Sequence, residues 1–184
     1  MRGFVGALLP VQCAGCRAWD EVLCPSCRSL AGGPAHVASL EGVRGPLPLV
    51  AMGDYDGPLR RIVLSAKHSA RTDVSDFLDE AGACLGASLA SVLGVAAGAR
   101  PGVRVRVVDA ARLRVGATSQ SGKAGAQRTV GRMGSMRALA VPGPGVRVVA
   151  VDDVVTTGAT IREMERVLGR LDGVAALCRP GLIS

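Results

Sequence analysis

The stretch "VRVVAVDDVVTTGATIREMERVLGRL", residues 146–171, decides the fold. Its valine-rich start, before the aspartates, is typical of a strand that is buried on both faces of a parallel sheet. Residues 160–171 predict an amphipathic helix. Its apolar side comprises Ile161, Met164, Val167, Leu168 and Leu171, and its polar side is largely Arg162, Glu163, Glu165, Arg166 and Arg170. A strand that turns directly into a helix is the repeating unit of an α/β fold around a mostly parallel sheet.

Acidic and hydroxyl side chains fill the turn between this strand and this helix. Ligands of parallel sheets bind beyond the carboxyl ends of the strands, which is where Asp152 and Asp153 stand. The helix then begins with unpaired N–H groups and a partial positive charge, and Gly158 lets the backbone approach an anion closely. We therefore predict a phosphate on the helix end and a diol on the carboxylates, as in a ribose 5-phosphate. The predicted ligand-binding residues are Asp152, Asp153, Val154, Val155, Thr156, Thr157, Gly158, Ala159 and Thr160.

Four of the six cysteines lie close together near the start of the chain. Cys13 and Cys16 form one Cys-x-x-Cys pair, and Cys24 and Cys27 form a second after seven residues. Two such turns can direct four thiolates at one tetrahedral centre, which predicts a closed, structural zinc site. The alternative is two disulfides in a secreted domain, but the sequence offers no export signal.

The rest of the chain predicts further elements of the same α/β domain. Residues 29–48 are rich in glycine and proline and read as a linker, so we expect a zinc-binding segment and linker over residues 1–45 and the main domain over residues 46–184. A strand is expected near residues 48–53, a helix from Pro58 with Leu59, Ile62 and Val63 inside, and a long helix over residues 74–97. Further strands are expected at residues 102–109 and 173–179, and a loop after residue 113.

Composition and charge limit the kind of protein this is. The net charge is +7, and only Lys67 and Lys123 are lysines, so arginine carries nearly all of the positive charge. The basic residues are spread along the chain and aromatic residues are scarce, which favours phosphorylated small molecules over nucleic acid as ligands. No stretch is long and apolar enough for a membrane helix, and a cytoplasmic location is expected.

The turn at residues 148–160, "VVAVDDVVTTGAT", closely resembles the phosphoribosyl-diphosphate (PRPP) signature of type I phosphoribosyltransferases. In those proteins the acidic pair binds the ribose hydroxyls and the threonine-glycine loop binds the 5′-phosphate. Together with the four cysteines, the chain resembles the ComF family of zinc-containing, phosphoribosyltransferase-like proteins, some of which serve DNA uptake. "YDGPLRRIVLSAKHSAR" from residue 55 and "RLRVGATSQSGKAGAQRTVGRM" from residue 112, with Gln120 and Arg128, are similar to further segments of that family.

Two features depart from the family pattern. Residues 73–100 offer one helical pattern and no strand where the family has a βα unit, so we expect one βα unit to be missing. Gly131 stands where the family carries an asparagine. In related transferases a loop in the missing region helps to bind pyrophosphate.

Three functions are compatible with these residues. The first is Mg²⁺-dependent transfer of a 5-phosphoribosyl group from PRPP to a nitrogen acceptor, with Lys67, Arg114, Lys123 and Arg128 as catalytic candidates that stabilise the leaving diphosphate. The second is a non-catalytic protein that binds a ribose phosphate and acts through partners such as the DNA-uptake machinery. The third is direct binding of DNA, including single strands, by the zinc segment and the arginines.

Overall fold

The chain contains both strands and helices in the computed structural model, which describes residues 10–69, 72–95, 106–113 and 134–182. The strands are β1 (His36–Glu41), β2 (Pro46–Gly53), β3 (Ala111–Leu113), β4 (Met136–Ala138), β5 (Val149–Val154) and β6 (Gly173–Cys178). The helices are α1 (Pro25–Arg28), α2 (Gly57–His68), α3 (Ser75–Val92) and α4 (Ala159–Leu168).

The main sheet has the strand order β1-β2-β6-β5. β2, β6 and β5 are parallel to one another, and β1 is antiparallel to β2. β3 and β4 form a separate antiparallel ribbon that packs on α4. The predicted α/β fold with a mostly parallel sheet is therefore confirmed among the described residues.

The core lies on both faces of this sheet. Strand residues alternate between faces, so in β2 Val50 and Met52 belong to one apolar cluster while Leu49 and Ala51 belong to the other. The first cluster joins the sheet to α2, α3 and the cysteine-rich segment, and the second joins it to α4. Helices thus cover both faces, as expected for an α/β fold.

The predicted helices agree well with the structure. α2 begins one residue before Pro58 and buries Leu59, Ile62 and Val63. α3 fills most of the predicted long helix, and residues 72–95 contain no strand. The absence of a βα unit relative to a family pattern stays a prediction.

The prediction of a linker over residues 29–48 was wrong, because residues 36–41 form β1 and residue 46 already begins β2. The burial of β1 alternates, with exposed Val37 and Ser39 on one side and buried Leu40 on the other. Glycines and prolines on both sides of this short edge strand obscured its pattern. The division of the chain at residue 45 stays a prediction.

Two strand predictions near the ligand turn were also wrong in part. In the described part of the predicted 102–109 strand, residues 106–109 are not in a strand, and β3 comes two residues later. β5 is an edge strand of the described sheet rather than a central one, so Val151 is 72% exposed instead of buried on both sides. An edge strand has a neighbour on one side alone, which leaves part of its surface uncovered.

Candidate functional site

The acidic pair lies at the carboxyl end of β5. Asp152 and Asp153 are both half-buried, and the backbone N–H of Asp153 donates to Oδ1 of Asp152 over 2.9 Å. Because β5, β6 and β2 run parallel, their carboxyl ends share one edge of the sheet. Val155 at this edge is tied to β6 by an N–H bond to the carbonyl of Cys178 at 3.0 Å. The pair therefore occupies the position at which parallel sheets present ligand-binding groups.

Lys67 lies beside this pair, at the last turn of α2. Its ammonium forms an ion pair with Oδ2 of Asp153, an oxygen that is shielded from solvent. The Lys67 side chain is 46% exposed and that of Asp153 is 30% exposed. The structure thus brings one basic candidate residue into contact with the predicted ligand turn, at a place that water and a ligand can still reach.

The two carboxylates differ in acidity. Burial, together with the hydrogen bond and charge of Asp153, raises the pKa of Asp152 to about 6. Burial opposes ionisation of Asp153 too, but its contacts with Lys67 and Asp152 outweigh burial and lower its pKa. The two carboxylates titrate as a coupled pair. As the pH falls, Asp152 gains a proton first, and Asp153 keeps its charge.

The turn after the acidic pair leads into α4 through a left-handed residue. Gly158 has φ +70° and precedes the first helical residue, Ala159. A Cβ at this position would lie 2.6 Å from Cδ1 of Leu40 in β1, so neither the backbone angle nor the space admits a side chain. Thr156 is exposed and Thr157 is half-buried, which leaves their hydroxyls near the helix end accessible. No side chain caps the amino end of α4, and the amino end of a helix favours an anion.

The β1–β2 hairpin binds α4 and so stabilises the turn that leads into this helix. Glu165, which is 2% exposed, accepts the backbone N–H of Val43 at 2.5 Å and that of Arg44 at 3.3 Å. Arg162 donates to the carbonyl of Glu41 at 3.3 Å. The sequence predicted Glu165 on a polar outer face, and this prediction was wrong because the hairpin covers that side of the helix.

A second buried glutamate ties α4 to the β3–β4 ribbon. Glu163 is 3% exposed, accepts the N–H of Met136 at 3.1 Å and pairs with Arg166 through two bonds of 2.8 and 2.9 Å. The hydrogen bonds of Arg166 lower the pKa of Glu163 to about 2, against the opposing effect of burial. Sequence reasoning did not predict that either glutamate is buried. The helical pattern shows only that these positions are charged, and it does not reveal the backbone N–H groups of distant segments that bind them.

The four cysteines converge as their spacing predicted. The sulfur atoms of Cys13, Cys16, Cys24 and Cys27 all lie within 4.8 Å of one another. All four are free thiols, and Sγ of Cys16 lies 3.5 Å from Sγ of Cys24, too far for a disulfide. Sulfurs around one tetrahedral zinc ion are about 3.8 Å apart, given a bond length of about 2.3 Å. The cluster can therefore hold a metal ion.

The backbone around the cluster suits thiolate ligands. Arg17, directly after the first pair, is left-handed with φ 68°, and its N–H donates to the carbonyl of Cys13 at 2.9 Å, closing a tight turn. Burial would raise the pKa of Cys13, but N–H groups that include that of Cys24 lower it to about 6. Burial and the three neighbouring thiols raise the pKa of Cys27 instead. Four thiolates can coexist here with a cation that offsets their charge.

Three of the predicted catalytic residues, Arg114, Lys123 and Arg128, lie outside the described residues, as do Gln120 and Gly131. Outside the cluster, Cys178 is fully buried and Cys84 is half-buried. No helix in the described part of the chain is both long and apolar enough to span a membrane.

A comparison with known protein families found no match, and a search of curated proteins found no relative. The class that the fold and the cysteines define is an α/β domain with a mixed, mostly parallel sheet and a four-cysteine cluster near its amino terminus. Membership of the ComF family stays a prediction that the sequence motifs carry.

Proposed function

We propose that this chain binds a ribose 5-phosphate group, as carried by PRPP, at the carboxyl end of β5 and the amino end of α4. The observation that carries this proposal is the half-buried pair Asp152 and Asp153 directly before a helix that Gly158 opens in a left-handed conformation. Acceptors for a diol and donors for a phosphate thus follow one another within seven residues of chain.

The acidic pair suits the ribose end of the ligand. Carboxylate oxygens accept hydrogen bonds from hydroxyl groups strongly, and partial burial strengthens such bonds by excluding water. Lys67 offsets the charge of Asp153, so the pair does not repel an incoming phosphorylated sugar as two free charges would. We infer that both carboxylates accept the ligand's hydroxyls in their ionised form near neutral pH, and that Asp152 loses this capacity first as the pH falls.

The helix end suits the phosphate. The exposed hydroxyl of Thr156, the half-buried Thr157 and the first backbone N–H groups of α4 supply donors, and the helix dipole adds a partial positive charge. Gly158 adds no side chain between this cradle and the ligand. Val154, Val155, Ala159 and Thr160 complete the predicted binding turn.

We infer that the activity is transfer of the 5-phosphoribosyl group to a nitrogen acceptor. The reaction breaks the C1–O bond to diphosphate and forms a C1–N bond, so the leaving diphosphate must be stabilised as its charge develops. Lys67 is the basic candidate beside the turn. Arg114, Lys123 and Arg128 are the others that the sequence supplies.

Mg²⁺ is the cofactor implied for PRPP. The described residues bring together one group of three or more potential metal ligands, and it is the four cysteines, which suit a soft metal. Mg²⁺ prefers oxygen ligands and keeps several waters, so it would be held mainly by the diphosphate oxygens of PRPP, and Asp152 and Asp153 are the carboxylates of the proposed site that could add to its ligands. It would then neutralise the charge of the leaving group.

A non-catalytic ribose-phosphate-binding protein is the second candidate function. One observation favours it: residues 72–95 contain one helix and no strand. This supports the expectation that the chain lacks the βα unit whose loop helps to bind diphosphate in related transferases. Such a protein would bind PRPP without turnover and act through a partner, for example in DNA uptake.

We further propose that the metal at Cys13, Cys16, Cys24 and Cys27 is zinc in a structural role. Four thiolates suit zinc and leave no coordination position for a substrate. Titration with Co²⁺ should give the visible absorption of a tetrahedral thiolate site, saturating at one equivalent. Cys27→Ser should lose this spectrum, whereas Cys84→Ser, which lies outside the cluster, should retain it.

Calorimetry with PRPP and Mg²⁺ tests the ligand proposal. The double variant Asp152→Ala/Asp153→Ala should lose binding, and Asp76→Ala/Asp79→Ala, which removes two exposed acids from α3, should bind like the parent. Equal affinity of the acidic-pair variant and the parent would refute the proposal. Release of pyrophosphate in the presence of a panel of nitrogenous bases then separates a transferase from a binding protein.

A further inference from the structure

The cysteine cluster and the acidic pair are connected by one helix. α2 begins at Gly57 beside the cysteines and ends at His68, and Lys67 in its last turn contacts Asp153. From Arg61 to Lys67 the helix rises about 9 Å, since each residue adds about 1.5 Å. Ile62 and Val63 are buried, so the middle of α2 is fixed against the sheet. A shift in the position of α2 at the cysteine end should therefore also move Lys67 at the other end.

The contact at the cluster end is specific. Nε of Arg61 donates a hydrogen bond to the carbonyl of Gly15, which lies between Cys13 and Cys16. A Cβ on Gly15 would stand 2.5 Å from Sγ of Cys27 and 3.3 Å from Cβ of Pro58, so the cysteine turn and the start of α2 are in close contact. Cys13 and Cys27 also belong to the same apolar cluster as Leu59, Ile62 and Val63 of α2.

We propose that Arg61 is a positioning residue that couples the metal cluster to the acidic pair. By binding the carbonyl of Gly15, it fixes the first turns of α2 on the cysteine turn, and α2 in turn holds Lys67 on Asp153. A metal ion in the cluster stabilises the turn that carries Gly15 and thereby sets the geometry at the ligand end. The effect on ligand affinity rests on the proposed function, whereas the mechanical coupling does not.

The chain offers a direct probe of this coupling, because Lys67 and Lys123 are its two lysines. An amine must leave Asp153 before it can attack an activated ester, so the ion pair slows acetylation of Lys67. Brief treatment with an N-hydroxysuccinimide acetate, followed by peptide mass spectrometry, gives the rate at Lys67, with Lys123 as the internal reference.

Arg61→Gln should raise the acetylation rate of Lys67 about two- to fivefold, the range that a partly exposed ion pair gives. Arg61→Lys should restore part of the protection, because it keeps a donor near Gly15. Arg60→Gln is the matched control, because the guanidinium of Arg60 lies 5.6 Å from the centre of the Tyr55 ring and not on the cysteine turn. Circular dichroism verifies that each variant is folded.

Two further samples keep the test valid if Arg61→Gln does not fold. Gly15→Ala disturbs the same junction from the cysteine side, and the parent protein freed of metal by a chelator removes the ion itself. Both should expose Lys67 to the reagent. An unchanged Lys67 rate in the folded samples would overturn the coupling. If the rate at Lys67 rises in these samples while the untreated parent protein does not bind PRPP, the coupling stands and the ribose-phosphate proposal is refuted instead.

Discussion

Replacing Asp152 by Asn should make the protein more stable while it abolishes ligand binding. Burial and the neighbouring Asp153 raise the pKa of Asp152 from 3.8 to about 6. The folded protein therefore holds an ionised carboxyl at neutral pH in a place that disfavours its charge. Asn removes this charge and keeps an oxygen that can accept the N–H of Asp153.

The magnitude follows from the pKa. Moving a carboxyl pKa from 3.8 to about 6 costs about 3 kcal/mol of folding free energy once the group is ionised. About half of this should be recovered, because Asp152 is partly exposed and Lys67 compensates some of its charge. We expect Asp152→Asn to raise the free energy of unfolding by about 1–2 kcal/mol at pH 8.

The difference in stability between Asp152→Asn and the parent should change with pH in a defined direction. A raised carboxyl pKa means that protonated Asp152 favours the folded state below about pH 4, and that this stabilisation is lost as the pH rises through about 6. The advantage of the Asn variant should therefore be small at pH 4 and complete above pH 7.

Urea denaturation of the parent and the variant at these pH values measures the difference. Asp79→Asn, at an exposed position of α3, is the control that should change little. If Asp152→Asn is less stable than the parent at pH 8, the electrostatic reasoning is wrong. If it also binds PRPP as tightly as the parent, Asp152 does not contact the ligand.

Three other substitutions test the support of the turn. Gly158→Ala should cost at least about 1 kcal/mol of stability and weaken PRPP binding, because φ is +70° and the methyl would meet Leu40; unchanged calorimetric affinity would contradict this. Glu165→Gln should cost about 1–3 kcal/mol in urea denaturation, since a buried carboxylate that accepts two backbone N–H groups loses one acceptor. Glu163→Gln should cost about 2 kcal/mol at pH 7. Because the pKa of Glu163 is lowered to about 2, its stabilisation is lost as the pH falls from 4.5 through 2, so a cost that did not shrink in acid would count against the ion pair with Arg166.

Local patterns predicted the elements that depend on neighbouring residues. The strand, turn and helix around residues 149–168, the helix that starts beside Pro58 and the convergence of the cysteines all appear in the structure. Each is specified by residues within a few positions of one another. The hidden strand β1 was missed because glycine and proline on both sides read as linker, although Leu40 and its neighbours alternate as a strand does.

By itself, the sequence determined the α/β class, the four-cysteine cluster and the chemical character of the turn that carries Asp152 and Asp153. Tertiary structure alone decided that β5 lies at an edge of the sheet formed by the described residues, that Lys67 reaches Asp153, and that Glu165 is buried against a turn 122 positions away. The physical reason is that a residue's type and spacing fix its local conformation and charge. Its burial and its partners depend on which distant backbone groups the packed chain brings to it.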